Sequence, residues 1–129
     1  MSERMDEVKA VAATVQLYID GARNAEVGKL KEAFHENALM FGAIAGHRYD
    51  VPVGTFFDLV VSSPAPGDAY NAHIVSIDIV GDAAVATLAE DNYMGMDFVD
   101  IFSLSKIESR WKIVNKTFAF TGGTPPPMG

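Results

Sequence analysis

The sequence contains no cysteine, which excludes a disulfide framework, a thiol nucleophile and any thiolate metal site. The same absence fits a reducing compartment. Basic side chains are scarce: 10 Lys and Arg stand against 17 Asp and Glu, for a net charge of −7. A phosphate-backbone partner needs clustered Lys and Arg, so no nucleic-acid partner is expected. Long apolar runs are also missing. Nothing approaches the roughly 20 residues of a membrane-spanning helix. The stretch Met1 to Lys9 is mixed in charge, with neither the apolar centre nor the small-residue cleavage site of a leader. The expectation is a soluble, cytoplasmic chain with no membrane partner. What is present is 49% hydrophobic content in 129 residues, enough for one domain with its own core and too apolar for disorder.

The N-terminal third has helical period. Val8, Val11, Ala12, Val15, Tyr18, Ile19 and Ala22 step by three and four, with charged and polar residues between them. Gly21 weakens the last turn and Asn24 is the expected stop. Val27, Leu30, Ala33 and Phe34 predict a second, shorter helix ending near His35-Glu36-Asn37. Ala38 to Phe41 and Ala43 to Ala45, bracketed by Gly42 and Gly46, read as two short strands or a strand and a bend. Asp50-Val51-Pro52 opens a third helix, Asp50 as the cap, with Val53, Phe56, Phe57 and Val60 as its apolar stripe.

From Tyr70 the period becomes that of strands. Asn71–Val80, Ala83–Tyr93, Asp97–Lys106 and Trp111–Phe120 are separated by turns at Gly81-Asp82, Met94-Gly95-Met96 and Ile107 to Arg110. The result is an α+β chain, with helices on one face of a curved antiparallel meander. Residues 1–120 form a single domain, and Thr121 to Gly129 are a flexible Gly/Pro tail. In the third long strand Phe98, Asp100, Phe102 and Leu104 share one face while Val99 and Ile101 share the other. Apolar residues on both faces predict helices on one side and a second copy of the chain on the other, a homodimer through the sheet.

Asp100 stands out because aspartate is depleted from strands and a buried charge is costly unless paired. Burial favours its neutral form, which can donate a hydrogen bond. An edge position or a partnered structural carboxylate accounts for the same pattern. Tyr18 lies on the apolar stripe of the first helix, where a phenol needs a partner or a place at the rim. Glu90 can face inward or emerge into solvent, and Lys116 is either its counter-ion or a surface lysine. The histidines His35, His47 and His73 have no ligand spacing, so no metal is expected. His35 and His73 remain possible proton carriers. No P-loop, dinucleotide fingerprint or nucleophile elbow occurs, and no cofactor is expected. Phe34, Phe41, Phe57, Phe98, Phe102 and Phe118 suit the lining of an apolar ligand cavity and suit a packed core equally well.

Tyr18-Ile19-Asp20-Gly21, Ala33-Phe34-His35-Glu36-Asn37-Ala38 and Trp111 to Lys116, in this order of elements, resemble the nuclear transport factor two-like superfamily. Within it, Asn92-Tyr93-Met94-Gly95 and Phe98 to Leu104 are most similar to the branch called "Putative lumazine-binding". The resemblance covers about Met5 to Phe120. It implies a cone: a curved antiparallel or mixed sheet wrapped around three N-terminal helices. It also allows a comparison with ketosteroid isomerase, which shares the fold and holds a dienolate with a tyrosine and a protonated aspartic acid. Those two positions correspond to Tyr18 and Asp100, the candidate catalytic pair that the resemblance implies. The isomerase base corresponds to a position near Gly42, where there is no side chain. His35, His73 and Glu90 are the possible substitutes.

Three functional readings follow. The first is a binding protein for a small hydrophobic or cyclic ligand, held in the cone by Tyr18, Asp100 and the six phenylalanines. The second is an isomerase, cyclase or dehydratase acting beside a carbonyl by acid-base catalysis. The third is an interaction module whose interior is filled by its own side chains. A third titratable group at the pocket centre separates the second from the others.

Overall fold

The structure, a computed structural model, describes residues 3–126. Helix α1 (Glu3–Asn24) buries Val11, Val15, Tyr18, Ile19 and Ala22 of the expected stripe and Thr14 besides, while Ala12 is half-buried and Val8 stays at the surface. Ala25, in the left-handed region at φ 54°, ends the helix. Helix α2 (Val27–Ala33) then folds back on α1. Their approach requires Gly21: a Cβ there would stand 2.8 Å from the Leu30 side chain.

The second helix stops earlier than its periodicity suggests. His35-Glu36-Asn37 belong to strand β1 (Phe34–Ile44), not to α2. Phe34 is extended (φ −97°, ψ 145°), its ring buried against Tyr18, Phe56, Phe57 and Phe102. Burial of that ring and pairing with the last strand override a weak helical preference. The segment expected to hold two short strands, or a strand and a bend, is one long strand that turns at Ala45 and Gly46, with two two-residue partners, β2 (His47–Arg48) and β3 (Val51–Pro52).

Helix α3 (Val53–Val61) begins with Pro52 at the capping position, and Asp50 does not cap it. The Asp50 carboxylate is taken by the Arg48 guanidinium and by the Gly42 backbone N–H at 3.3 Å. Arg48 holds its pKa below the ordinary value. Val53, Phe56 and Val60 are buried on α3, and Phe57 is half-buried.

Strands β4 (Asn71–Val80), β5 (Ala83–Tyr93), β6 (Met96–Ile107) and β7 (Arg110–Gly123) form the meander. The sheet runs β2-β1-β7-β6-β5-β4, with β3 also paired to β1; β1 and β7 are parallel and the other pairs antiparallel. This is a mixed sheet with the three helices against one face, the α+β cone. Strand pairing continues past the expected start of the tail, with Gly123 opposite Met96. Pro125 and Pro126 follow against the interior cavity. Met1, Ser2 and the end of the expected tail, residues 127–129, lie outside the described residues.

Two irregularities in the ladder decide what faces inward. Along β7, Trp111 and Ile113 are buried, and strict alternation would bring Asn115 inside next. Instead the register shifts: Ser103 pairs with Asn115 while Leu104 pairs with Ile113, leaving Val114 as an extra residue. This bulge turns Lys116 and Phe118 inward. A second shift, between Glu90 and Tyr93 with Asn92 at φ 61°, puts Tyr93 rather than Asn92 against the interior.

Candidate functional site

Tyr18, on the inner side of α1, is the centre of a buried polar cluster. Its hydroxyl accepts a hydrogen bond from Lys116 Nζ at 2.9 Å. The single phenolic proton is shared between Glu90 Oε1 at 3.3 Å and Asp100 Oδ2 at 3.4 Å. The other oxygen of Glu90 accepts from the Tyr70 hydroxyl. Inward alternation on β5 and β6 brings Glu90 and Asp100 to the same side of the sheet. The relative exposures are 2% for Glu90, 1% for Asp100 and 6% for Lys116, so the charges lie in a medium where they act strongly on one another.

The electrostatics follow from that burial. Asp100 has its pKa pushed well above the usual carboxyl value, by burial first and by the charge of Glu90 second; Lys116 opposes the shift without cancelling it. Among the described residues its Oδ1 has no hydrogen-bond partner. The Tyr18 phenol is raised by burial and then by Asp100 and Glu90, so it remains a proton donor. Tyr70 is raised by burial and by Glu90, and Tyr93 is pushed up to about 12 by the same two causes. Asp100 and the three phenols Tyr18, Tyr70 and Tyr93 are thus all shifted toward their protonated forms.

This cluster borders a cavity of about 380 Å³ between α3 and the inner face of the sheet. Tyr18, Glu90 and Lys116 form its polar part. Phe56, Phe98, Phe118 and Met40 supply apolar walls, with Tyr49, Tyr93, Pro125 and Pro126 also lining it. Its size and its few converging polar groups are those of a small-molecule site.

The site residues expected from the sequence separate into groups. Tyr18, Phe98 and Phe118 line the cavity. Asp100 accepts a hydrogen bond from Tyr18 and is not among the lining residues, so it meets the cavity only through the phenol. Phe102 and Phe34 pack on the Tyr18 ring, at 4.9 and 6.0 Å between centroids, outside the cavity. Phe57 is half-buried against Phe34. Phe41 is on the outer face of β1 and 39% exposed, because it alternates with the inward Met40 and Gly42.

Of the three substitute bases, Glu90 alone reaches Tyr18. His35 Nδ1 accepts the Asn37 N–H, and His73 is exposed on β4. The isomerase base position is closed to any side chain: a Cβ on Gly42 would stand 2.6 Å from the carbonyl oxygen of Phe118. Tyr49, Tyr70 and Tyr93 join the site without a signal in the sequence. Tyr70 follows a loop with no periodicity to orient it, and Tyr93 depends on the bulge beside Asn92.

The fold and this interior define a nuclear transport factor two-like protein. Residues 6–119 match the family described as "Putative lumazine-binding", and the chain belongs to that family. It is 28% identical, with a TM-score of 0.88, to a nuclear transport factor two-like protein of unknown function from Shewanella baltica OS155, covering 95% of this chain and all of that one. The aldolase FrzH of Cladobotryum sp. is 29% identical over 113 residues, 87% of this chain and 90% of that protein. A ketosteroid isomerase-like protein from Erwinia carotovora atroseptica shares the fold, at 13% identity and a TM-score of 0.69, over 90% of this chain and 97% of that one. No helix among the described residues is long and apolar enough to cross a membrane.

Proposed function

We propose that this chain is an enzyme that binds a small, largely apolar cyclic carbonyl compound and moves a proton at the carbon beside its carbonyl. The observation that carries the reading is the meeting of Glu90 with Tyr18 on the cavity wall. A binding site needs only a donor there. A proton-transfer site needs a carrier too, and Glu90 is the titratable group that the isomerase comparison lacks at Gly42.

In this reading the substrate oxygen accepts a hydrogen bond from Tyr18, which turns from the carboxyls toward the ligand. The Glu90 carboxylate takes the α-proton, and the electrons pass to the carbonyl oxygen as an enolate held by the phenol. Tyr70 fixes the Glu90 carboxyl through its second oxygen. Asp100, neutral beside Tyr18, is a positioning residue. Return of the proton, or attack of the enolate carbon on a second carbonyl, gives isomerase, cyclase or aldol-type outcomes. The similarity to a protein named an aldolase supports this class.

The test is hydrogen–deuterium exchange at the α-carbons of 2-decalone in deuterated buffer, followed by proton NMR. Catalysed exchange that disappears in Glu90→Gln supports the reading. Exchange no faster than in buffer, with the ketone demonstrably bound, contradicts it and leaves a binding protein.

The homodimer belongs to the same proposal. On the outer face, ladder rows bring Phe41, Thr117, Ile101 and Thr87 side by side, next to Val99, Ala89 and Ala119. Ile101 is 48% exposed. A second copy covering this apolar strip is what the uncovered face supports.

A further inference from the structure

Lys116 has a role left over. Holding a phenol in place does not need a lysine turned inward from a strand. Yet the β7 bulge turns it in, and its amine lies among three aromatic rings. Nζ lies 3.8 Å from the centroid of Phe56, 5.0 Å from that of Tyr18 and 5.6 Å from that of Phe118. It donates a hydrogen bond to the Tyr18 hydroxyl, and the residue lines the cavity. Arg23, Lys29, Arg48 and Lys106 make salt bridges with carboxylates, whereas the amine of Lys116 is directed to the Tyr18 hydroxyl. Bulges recur beside active sites as devices that re-aim one side chain, and lysines in apolar pockets are the ones that form Schiff bases with carbonyl substrates.

We propose that Lys116 is a covalent nucleophile that captures the ketone or aldehyde substrate as an iminium ion. This rests on the carbonyl-substrate reading above and deepens it. The ammonium first gives a proton to the Tyr18 oxygen as Tyr18 passes its own to Glu90, along the contacts of 2.9 and 3.3 Å. The freed nitrogen lone pair forms the C–N bond, and the C=O π electrons move to oxygen. The alkoxide takes up a proton from the nitrogen to become a carbinolamine. Glu90 returns its proton through Tyr18 to that hydroxyl, which leaves as water. In the net change the lysine ammonium and the carbonyl compound give the protonated imine and one water, with no oxidant or reductant. The iminium withdraws electrons from the adjacent C–H bond, and Glu90, again a carboxylate, removes that proton to give an enamine.

The experiment is borohydride trapping. The full chain is incubated with 2-decalone, reduced with sodium borohydride, digested and mapped by mass spectrometry. The expected result is a secondary-amine adduct on Lys116 and its loss in Lys116→Arg, which keeps the charge and cannot form this imine. Circular dichroism melting checks that the variant folds, and the wild-type map decides the matter without it. A Lys116 peptide free of adduct, in protein that still catalyses α-exchange, overturns the covalent role and leaves the proton-transfer reading standing. An adduct on Lys116 without exchange supports the covalent role and removes Glu90 as base. Absence of both adduct and exchange overturns both.

Discussion

Lys116 donates a 2.9 Å hydrogen bond to the hydroxyl of Tyr18, joining the last strand to the first helix across the interior. The two residues are 98 positions apart in sequence. Their contact ties the two elements together at the polar wall of the cavity. Replacing Tyr18 with Phe removes the acceptor of a buried ammonium and a donor to two carboxyls. The expected loss of stability is about 1–3 kcal/mol, the usual cost of buried groups left without partners. Urea denaturation of Tyr18→Phe against the wild type measures it; an unchanged midpoint would show that the cluster does not depend on the phenol.

Glu90→Gln keeps the shape and can still accept from Tyr70, so the fold should survive. It cannot take up a proton. Catalysed α-exchange of a bound ketone is expected to fall by about 10²–10⁴-fold, the range for loss of a general base. NMR exchange rates with equal ketone occupancy give the comparison.

Asp100 supplies a pH signature. Its folded-state pKa lies well above the ordinary carboxyl value because of burial and then Glu90. The unfolded chain binds fewer protons there once the pH passes about 4. The stability associated with the neutral acid is therefore fully present below about pH 4 and is lost as the pH rises through the folded value. In Asp100→Asn this dependence is absent, because the amide stays neutral. Denaturation from about pH 4 to 8 should show wild-type stability declining relative to Asp100→Asn as the pH increases. A constant difference would place Asp100 in an environment that leaves its pKa unshifted.

Gly42 gives a negative prediction. Supplying an aspartate there, to restore an isomerase-like base, should not create activity. The first added carbon already meets the Phe118 backbone at 2.6 Å, and backbone cannot step aside cheaply. Gly42→Asp is expected to lose about 1–3 kcal/mol or more by overpacking, read as a lowered melting temperature, with no gain in exchange rate.

The outer face tests the dimer. Ile101→Lys puts a charge in the middle of the apolar strip and leaves the interior untouched, since Ile101 points away from the helices. Light scattering should show wild-type dimers and a monomeric variant. A wild-type monomer at micromolar concentration removes the proposal.

These residues also show how far the sequence can be read. The stripe of α1, the turns of the meander and the inward set Phe98, Asp100, Phe102 and Leu104 follow from simple periodicity, and the structure keeps them. Phe34 reads as helical in the sequence because its burial depends on Phe56, Phe57 and Phe102, all distant along the chain. Phe41 suits a cavity lining by its chemistry, although strand alternation with Met40 turns it outward. Lys116 is ambiguous for a deeper reason. Its direction is set by one extra residue at Val114, and a bulge is a feature of the pairing between strands, invisible in either strand alone. Asp100 can be recognised as buried, but whether it meets the cavity or only Tyr18 depends on side-chain packing.

The most direct measurement is a crystal structure of the protein with 2-naphthol, a flat phenol that resembles a cyclic enolate. The account predicts the naphthol rings between Phe56, Phe98 and Phe118, with their oxygen within hydrogen-bond distance of the Tyr18 hydroxyl and an edge facing Glu90. Naphthol bound with its oxygen turned toward Pro125 and Pro126, or a cavity empty at saturating naphthol, would contradict it.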